Sequence, residues 1–316
     1  MSKTGIFMAV AVAIALIGAG AGVYFTPNEN DTVEIEIKDL FEVGDEHTMV
    51  QELGTTKYWI TDVKTVGDDL RFDIVANGGL VVSDLTYEEM SNGLLGEITF
   101  DESGSGATEG DEERISTPFG ERDCIVYTKD LGEGLKNVYY VGKNNDVVYR
   151  QEQLVNDVVT MAIILQMSSL MVESNTAIGL KNAEDIAEGD SVSFNIAYIS
   201  TLVIEGVNLP EGDGTVTYDV RISGLACEEP LTRDEVIEEA GLVFPEGLEN
   251  DLIDAGIEIV DTPLGKVKCN AYKNAIFSGL EITYYVSKDV LVQNTGIILS
   301  ITLKMYWEHT DLVIVK

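Results

Sequence analysis

Basic residues are scarce in this chain of 316 residues. Only 20 lysines and arginines stand against 55 aspartates and glutamates, which gives a formal net charge of −35. A surface this negative repels the phosphate backbone of nucleic acids, so nucleic acid is excluded as an expected partner. The same charge attracts cations and basic protein surfaces, although keeping the protein soluble is a simpler role for it.

Histidine is almost absent, and the common catalytic motifs are missing. The two histidines, His47 and His309, have no spacing that indicates a zinc site. The chain contains no Ser-x-x-Lys, no Gly-x-Ser-x-Gly, no P-loop and no dinucleotide-binding fingerprint. We therefore predict no catalytic residue, no cofactor and no enzymatic activity.

Cysteine is limited to three positions, Cys124, Cys227 and Cys269. If the chain folds outside the cytoplasm, a disulfide is available to it, and Cys227 with Cys269 is the expected pair. The alternative is that all three are small buried apolar residues. Neither histidine accompanies a cysteine in a repeated pattern, so a catalytic thiol is not predicted.

One long uncharged run stands out in this charged chain, at residues 5–25. As a helix rising about 1.5 Å per residue, it would span the roughly 30 Å hydrocarbon core of a bilayer. Lys3 precedes it, which predicts a cytoplasmic N-terminus and an extracytoplasmic body. A signal peptide cleaved after Ala21 is the alternative. We expect a retained transmembrane anchor over residues 1–26, and with it a single-pass cell-membrane protein.

The chain also contains an internal sequence repeat. Residues 115–143 align with residues 260–288 at a constant offset of 145, with 11 of 29 positions identical. Such a period indicates two copies of one structural unit. We predict a juxtamembrane linker over residues 27–38 and β-rich repeat domains over residues 39–174 and 183–316.

Local patterns predict what each copy contains. Residues 158–172 are apolar but too short for a second membrane span and are read as a strand. Capping boxes at Thr86 and Thr232 each predict a short helix. Residues 101–113 are expected to form a mobile acidic loop, and residues 247–255 a second short helix that ends at Gly256. The predicted fold class is α+β: an N-terminal transmembrane helix, then two homologous domains, each a curved antiparallel β-sheet with a short helical insert.

Acidic loops raise the question of calcium, because Ca²⁺ prefers oxygen ligands. None of the loops matches a twelve-residue calcium motif, and solvated acidic turns are the simpler interpretation. The candidate calcium ligands are Asp101, Glu102, Asp111, Glu112 and Asp213.

Paired aromatic residues in the predicted strands suggest a binding surface. Alternation along a strand sends one member of each pair outward, where it could contact a glycan or a protein. Ordinary half-buried strand residues are the alternative. The pairs are Tyr58-Trp59, Tyr139-Tyr140, Tyr284-Tyr285 and Tyr306-Trp307.

Two resemblances follow from these motifs. The basic start, apolar run and acidic β-rich body resemble signal-anchored surface proteins of archaea. The repeated Thr-Pro-x-Gly-x-x-x-Cys segment, at Thr117 and Thr262, is similar to a segment of lipoprotein-carrier half-barrels, which implies a sheet wrapped around a helix. We expect a membrane-anchored binding protein that contacts the membrane through residues 5–25 and takes a cell-surface protein, glycan or lipid as ligand. A carrier of an apolar ligand and an unrecognised cell-surface hydrolase are the alternatives.

Overall fold

The computed structural model describes residues 32–76, 81–90, 99–100, 102–173, 178–210, 212, 214–277, 280–298 and 301–316. Strands make up most of this part of the chain. They are β1 Thr32–Val33, β2 Ile35–Ile37, β3 Glu46–Val66, β4 Asp69–Ala76, β5 Val81–Thr86, β6 Thr108–Thr117, β7 Gly120–Gly132, β8 Leu135–Gly142, β9 Val148–Val155, β10 Val158–Ser168, β11 Met171–Glu173, β12 Ile178–Leu180, β13 Ser191–Asn208, β14 Thr217–Ile222, β15 Leu225–Ala226, β16 Leu231–Thr232, β17 Ile253–Thr262, β18 Gly265–Phe277, β19 Leu280–Ser287, β20 Val290–Ile298, β21 Ile301–Thr310 and β22 Val313–Val315.

The helices of the described residues are short. They are α1 Tyr87–Met90, α2 Glu102–Ser105 and α3 Arg233–Glu239, with 3₁₀ turns at Ala183–Asp185 and Leu248–Asp251.

The predicted α+β class is wrong, because the helices are too small to form a layer. The two capping boxes themselves are confirmed. The backbone N–H of Thr232 donates to Glu235 at 2.8 Å, and that of Thr86 donates to Glu89 at 2.8 Å. A capping box fixes where a helix begins but not how far it runs. Here the helices end after seven and four residues, and the fold is predominantly β-sheet.

The predicted transmembrane anchor is corrected as well. Within the described residues, no helix is long and apolar enough to cross a bilayer. The single-pass cell-membrane localisation that rested on such a helix is therefore not supported. Residues 5–25, for which the anchor was predicted, lie outside the described part of the chain.

Two segments, one predicted as a loop and one as a helix, contain parts of strands in the structure. The expected acidic loop at residues 101–113 contains α2 and the first half of β6. The expected helix at residues 247–255 is a 3₁₀ turn followed by the start of β17. Gly256 has a φ of +93°, but it lies inside β17, where the register shifts, and does not end a helix. The prediction that residues 158–172 begin a strand is confirmed by β10.

The chain forms two compact units. The central unit comprises Thr55–Ala197, and the terminal unit comprises Tyr198–Lys316 together with the chain up to Gly54. The two longest strands, β3 and β13, each begin in one unit and end in the other. The boundaries between the compact units therefore lie inside these two strands. The predicted repeat domains at residues 39–174 and 183–316 describe the two copies of the sequence repeat, and they stay a prediction.

The central unit is built from antiparallel neighbours in chain order. The second part of β3 pairs with β4, and β4 pairs with β5. A meander follows, in which β6, β7, β8, β9 and β10 pair successively. Its core is a cluster of buried side chains that includes Ile60, Phe72, Met90, Tyr149, Leu165 and Phe194.

The terminal unit repeats this order but takes strands from both ends of the chain. The second part of β13 pairs with β14, and β17 to β21 form the meander. The first part of β3 then pairs with β21, and β2 pairs with β22. The core includes Ile35, Phe41, Ile204, Tyr218, Val236 and Trp307.

An aspartate that the repeat relates accepts the same kinds of hydrogen bond in each unit. In the terminal unit, Asp45 accepts from Lys38 Nζ at 2.8 Å and from the N–H of Glu42 at 2.9 Å. In the central unit, Asp190 accepts from Lys181 Nζ and from the N–H of Ala187 at the same distances. Burial alone would raise the pKa of Asp190, but these hydrogen bonds to its charged form lower it. Gly44-Asp45 and Gly189-Asp190, which match at the offset of 145, therefore have a structural role.

Candidate functional site

The candidate site is built on a repeated hairpin. Thr262 Oγ1 donates to the carbonyl of Gly265 at 2.8 Å and accepts from the N–H of Leu264 at 3.1 Å, which closes the turn between β17 and β18. Thr117 makes the same contacts between β6 and β7. The Thr-Pro-x-Gly motif thus sets each hairpin, as its turn chemistry predicts. The first strand of each hairpin, β17 or β6, has a residue-by-residue pairing on one side only within the described residues.

Both first strands are exposed over most of their length. Within the described residues, the partner of β17 is β18 and that of β6 is β7. The first six residues of β17 and the first seven of β6 are solvent-exposed. In a strand with one partner, backbone N–H and C=O groups on the other side are open to a further strand.

The two edges differ in their chemistry although the repeat relates them. The exposed part of β6 has the sequence TEGDEER, with five charged residues. The matching part of β17 has the sequence IDAGIEI, where Ile253, Ile257 and Ile259 replace Thr108, Glu112 and Arg114. Ile253 is 62% exposed and Ile257 is 61% exposed. Charged side chains protect an edge strand against pairing, so β6, with five of them, is better protected than β17, with two.

A bulge divides the apolar side chains of β17 between the two faces. Asp254 is opposite Tyr272 and Gly256 is opposite Ala271, so one extra residue lies between them. The N–H of Gly256 donates to Asp254 Oδ1 at 2.8 Å, and glycine accepts the positive φ that the bulge requires. After the bulge, Ile257 and Ile259 share one face, and Glu258 points to the other.

An aromatic cluster flanks the start of β17. Phe244 stacks on Tyr272, with ring centroids 5.6 Å apart, and lies 5.7 Å from Tyr284. Burial raises the pKa of Tyr284, which keeps its hydroxyl protonated. Tyr272 is also the cross-strand neighbour of Asp254 on β17. The cluster therefore gives the edge a firm apolar support.

The same trio occurs in the central unit, and the sequence reasoning missed it. Phe100 lies 4.4 Å from Tyr127 and 5.3 Å from Tyr139. The tyrosines are repeat identities, but Phe100 and Phe244 are separated by 144 residues and fall outside the gapless alignment. Allowing a one-residue indel ahead of that block would have revealed them.

The structure leaves the predicted calcium ligands dispersed or undescribed. Glu102 begins α2, while Asp111 and Glu112 are exposed on β6. Asp101 and Asp213 lie outside the described residues. In the described part of the chain, no three acidic, histidine or cysteine side chains are grouped so as to hold a metal ion. Calcium binding stays a prediction.

The histidines occupy different environments in the terminal unit. His309 is exposed and lies 3.0 Å from Asp311. His47 is 1% exposed and lies edge-on to Trp307, with ring centroids 6.0 Å apart. Burial lowers the pKa of His47 to about 4, so its imidazole is neutral at pH 7.

The three cysteines are free thiols in the structure. Cys124 and Cys269, which the repeat relates, are buried in the cores of their units, and Cys227 is partly buried. Burial raises the pKa of Cys124 to about 11 and that of Cys269 to about 12. Thiols in such environments react slowly, because the thiolate is the reactive species.

We expect a single thiol to react under native conditions. Cys227 should be labelled first by a colorimetric disulfide reagent, and Cys124 and Cys269 only after the chain is unfolded in denaturant. Burial raises the pKa of Cys227 too, so its reaction should be slower than that of a free thiol. Thiol counting before and after unfolding tests this. Two or more thiols reacting in the folded protein would contradict the described burial.

A small cavity bears on the expected carrier function. It lies in the terminal unit and has no room for a water molecule. Pockets for small ligands usually measure about 300–1,000 Å³, so this cavity does not favour an apolar ligand. Its lining includes Met49, Gly241, Leu291, Val292, Met305 and Trp307.

Comparison with protein-family models, with curated proteins and with solved structures gave no match for this chain. No activity or ligand can therefore be taken over from a relative. The functional argument rests on the chemistry of β17 and its contrast with β6.

Proposed function

We propose that this protein is a non-catalytic binding protein that takes up an extended polypeptide segment along β17. The observation that carries the proposal is the contrast between two repeat-related edges, one with five charged residues and one with three isoleucines. Extended segments bind open sheet edges by main-chain hydrogen bonds, with side-chain contacts giving specificity. Ile253 and Ile257 provide exposed apolar contacts for such a segment.

The contrast has a further implication for the proposal. Both strands face the same aggregation hazard, because each presents an exposed edge. Five charges on β6 counter that hazard, whereas β17 keeps three isoleucines in corresponding positions. Ile253 and Ile257 are exposed and contribute little to folding, so a role in binding accounts for these two residues better than a role in stability.

The repeat supplies the variant that tests this function. Ile253→Thr combined with Ile257→Glu places the β6 residues on β17, and it leaves Gly256 and the bulge intact. Because both isoleucines are more than 60% exposed, the variant should change the free energy of unfolding by only about 0.5 kcal/mol. The protein and the variant are to be compared on an array of ten-residue extended peptides of varied composition.

We expect the protein to retain a subset of these peptides and the variant to bind them at least about tenfold more weakly, since tenfold corresponds to about 1.4 kcal/mol of lost contact. The matched control is Thr108→Ile with Glu112→Ile, which removes protection from β6 and should leave binding at β17 unchanged. Equal retention by the protein and the Ile253→Thr, Ile257→Glu variant, or no retention at all, would contradict the proposal.

A further inference from the structure

We infer that the segment bound at β17 is cationic, with apolar residues at alternate positions. This inference rests on the proposed function and names the class of its partner. The stretch at residues 249–261 contains five acidic residues and no basic one. They are Glu249, Asp251, Asp254, Glu258 and Asp261.

Two lysines of the neighbouring strand are paired with acids other than Asp254 and Glu258. On β18, Lys273 donates to Glu281 at 3.1 Å. Lys266 lies 3.5 Å from Asp261. Glu258, in the middle of the edge, is exposed. A strand laid along the exposed part of β17 would therefore meet the carboxylates of Asp254 and Glu258 and no basic side chain of β17 itself.

The order of side chains along β17 after the bulge defines which side chains a bound strand should place opposite them. Ile257 and Ile259 lie on one face, and Glu258 lies between them on the other. In a sheet, directly opposite residues favour apolar with apolar and charge with opposite charge. A bound strand thus fits when it places apolar residues across from Ile257 and Ile259 and a lysine or arginine across from Glu258.

A second copy of this chain is a poorer occupant. Its own edge carries the same acids, and each copy has a net charge of −35, so pairing of two β17 strands would bring like charges together. Like charges directly opposite on neighbouring strands are destabilising. The charge pattern therefore favours a basic partner.

The test uses three synthetic peptides with the full-length protein. They are Thr-Val-Lys-Val-Lys-Val-Thr and the versions in which glutamate or threonine replaces both lysines. Fluorescence anisotropy at low salt should give a dissociation constant at least about tenfold lower for the lysine peptide than for the threonine peptide, and none measurable for the glutamate peptide. A lysine peptide of the same composition in scrambled order should bind more weakly, because it loses the alternation.

Charge reversal at the edge provides the second arm. Glu258→Lys should weaken binding of the lysine peptide and strengthen binding of the glutamate peptide, while Glu258→Gln should fall between. High salt should reduce the preference for the lysine peptide. Together these results would support a cationic partner.

Failure of the inference and failure of the proposed function look different. Equal binding of the threonine and lysine peptides, abolished by Ile253→Thr with Ile257→Glu, would overturn the cationic partner and keep the edge as the site. Binding of both the lysine and the threonine peptide that survives this double variant would place the interaction elsewhere and overturn both. Dimerisation of the protein alone, lost in the double variant, would make a second copy the occupant and overturn the inference.

Discussion

A circularly permuted chain that runs from Tyr198 to Lys316 and continues through a four-residue linker into residues 32–54 is expected to fold as one cooperative unit. The ends to be joined are already neighbours. Ile35 is opposite Val315 in the β2–β22 pair, and the N–H of Lys316 donates to the carbonyl of Glu34 at 3.0 Å. A short linker therefore spans the gap without moving either strand.

The central unit shows the connection that the permuted chain would copy. There, β11 and β12 pair antiparallel, with Glu173 opposite Ile178 and residues 174–177 between them along the chain. In the terminal unit, β22 and β2 pair in the same way but are not consecutive. Joining Lys316 to residue 32 would place β22 shortly before β2 along the chain, as β11 precedes β12 in the central unit.

Without residues 32–54, the remainder of the terminal unit should not fold. That segment supplies Ile35, Phe41 and Val50, each at most 5% exposed. At about 1.5–3 kcal/mol for each buried side chain, their loss removes roughly 5–9 kcal/mol. The whole stability of a domain is about 5–15 kcal/mol, so the loss is decisive.

Circular dichroism and urea unfolding would check this prediction on three chains. Residues 198–316 alone should lack a cooperative transition, and the permuted chain should recover one. Residues 55–197, which are continuous, should fold without rearrangement and serve as the matched control. The same transition in residues 198–316 alone and in the permuted chain would show that residues 32–54 are not part of the unit.

Each long strand, β3 or β13, belongs partly to one unit and partly to the other. For this reason the sequence predicts the length of the repeat but not the positions at which the two units are divided. A tandem repeat has a length, and every starting point along it fits equally well. The hydrophobic pattern continues through β3 and β13, and nothing local marks Gly54 or Ala197 as boundaries. The boundary follows from the partners of each half-strand, which are far away in sequence: β21 and β4 for β3.

Local signals were reliable where hydrogen bonds within a few residues decide the structure. The Thr-Pro-x-Gly turns and both capping boxes form as predicted. Those signals carry no information on the extent of an element. Two capping boxes predict two helices and with them an α+β class, but α3 has only seven residues.

The edge strands show a second limit of prediction from the sequence. β6 is rich in acids and has little apolar periodicity, so it was predicted as a loop, yet pairing with β7 makes it a strand. Strand preference depends strongly on context, and an available partner can override composition. For the same reason Ile253 and Ile257 were not recognised as a surface: the first lay in a predicted helix and the second just after it. Only the structure shows that both are exposed.

Acid should destabilise the terminal unit through His47. The pKa of His47 is lowered from 6.5 to about 4, first because the ring is buried and also because of the charge of His309, against the opposing effect of the Ala240 carbonyl at the end of α3. Both ring nitrogens lack a hydrogen-bond partner of good geometry within the described structure. Thr310 lies opposite His47 on β21, and its buried hydroxyl also lacks a hydrogen-bond partner within the described structure.

The sign of the effect follows from which state takes up the proton first. On acidification the unfolded chain protonates His47 near pH 6.5, whereas the folded chain resists until about pH 4. Stability is thus fully present above pH 6.5 and falls between these values. At 1.36 kcal/mol per pKa unit, the loss is about 3 kcal/mol at most.

The repeat again supplies the variant. At offset 145 the counterpart of His47 is Val192, which is 1% exposed in the core of the central unit. His47→Val should remove the loss between pH 6.5 and pH 4 and leave the contributions of carboxylates, which both proteins share. His47→Leu is a second choice, since it fills more of the space beside Trp307.

Trp307 offers a local readout of this unit. The chain has two tryptophans, and replacing Trp59 by phenylalanine leaves Trp307, whose ring touches that of His47, as the reporter. Urea unfolding followed by its fluorescence at several pH values gives the free energy of unfolding for each variant. His309→Ala is the control: its side chain is half exposed and pairs with Asp311, so its removal should alter the pH dependence far less. If the parent and His47→Val lose stability in parallel from pH 6.5 to pH 4, the acid sensitivity belongs to the carboxylates, and the buried imidazole has no part in it.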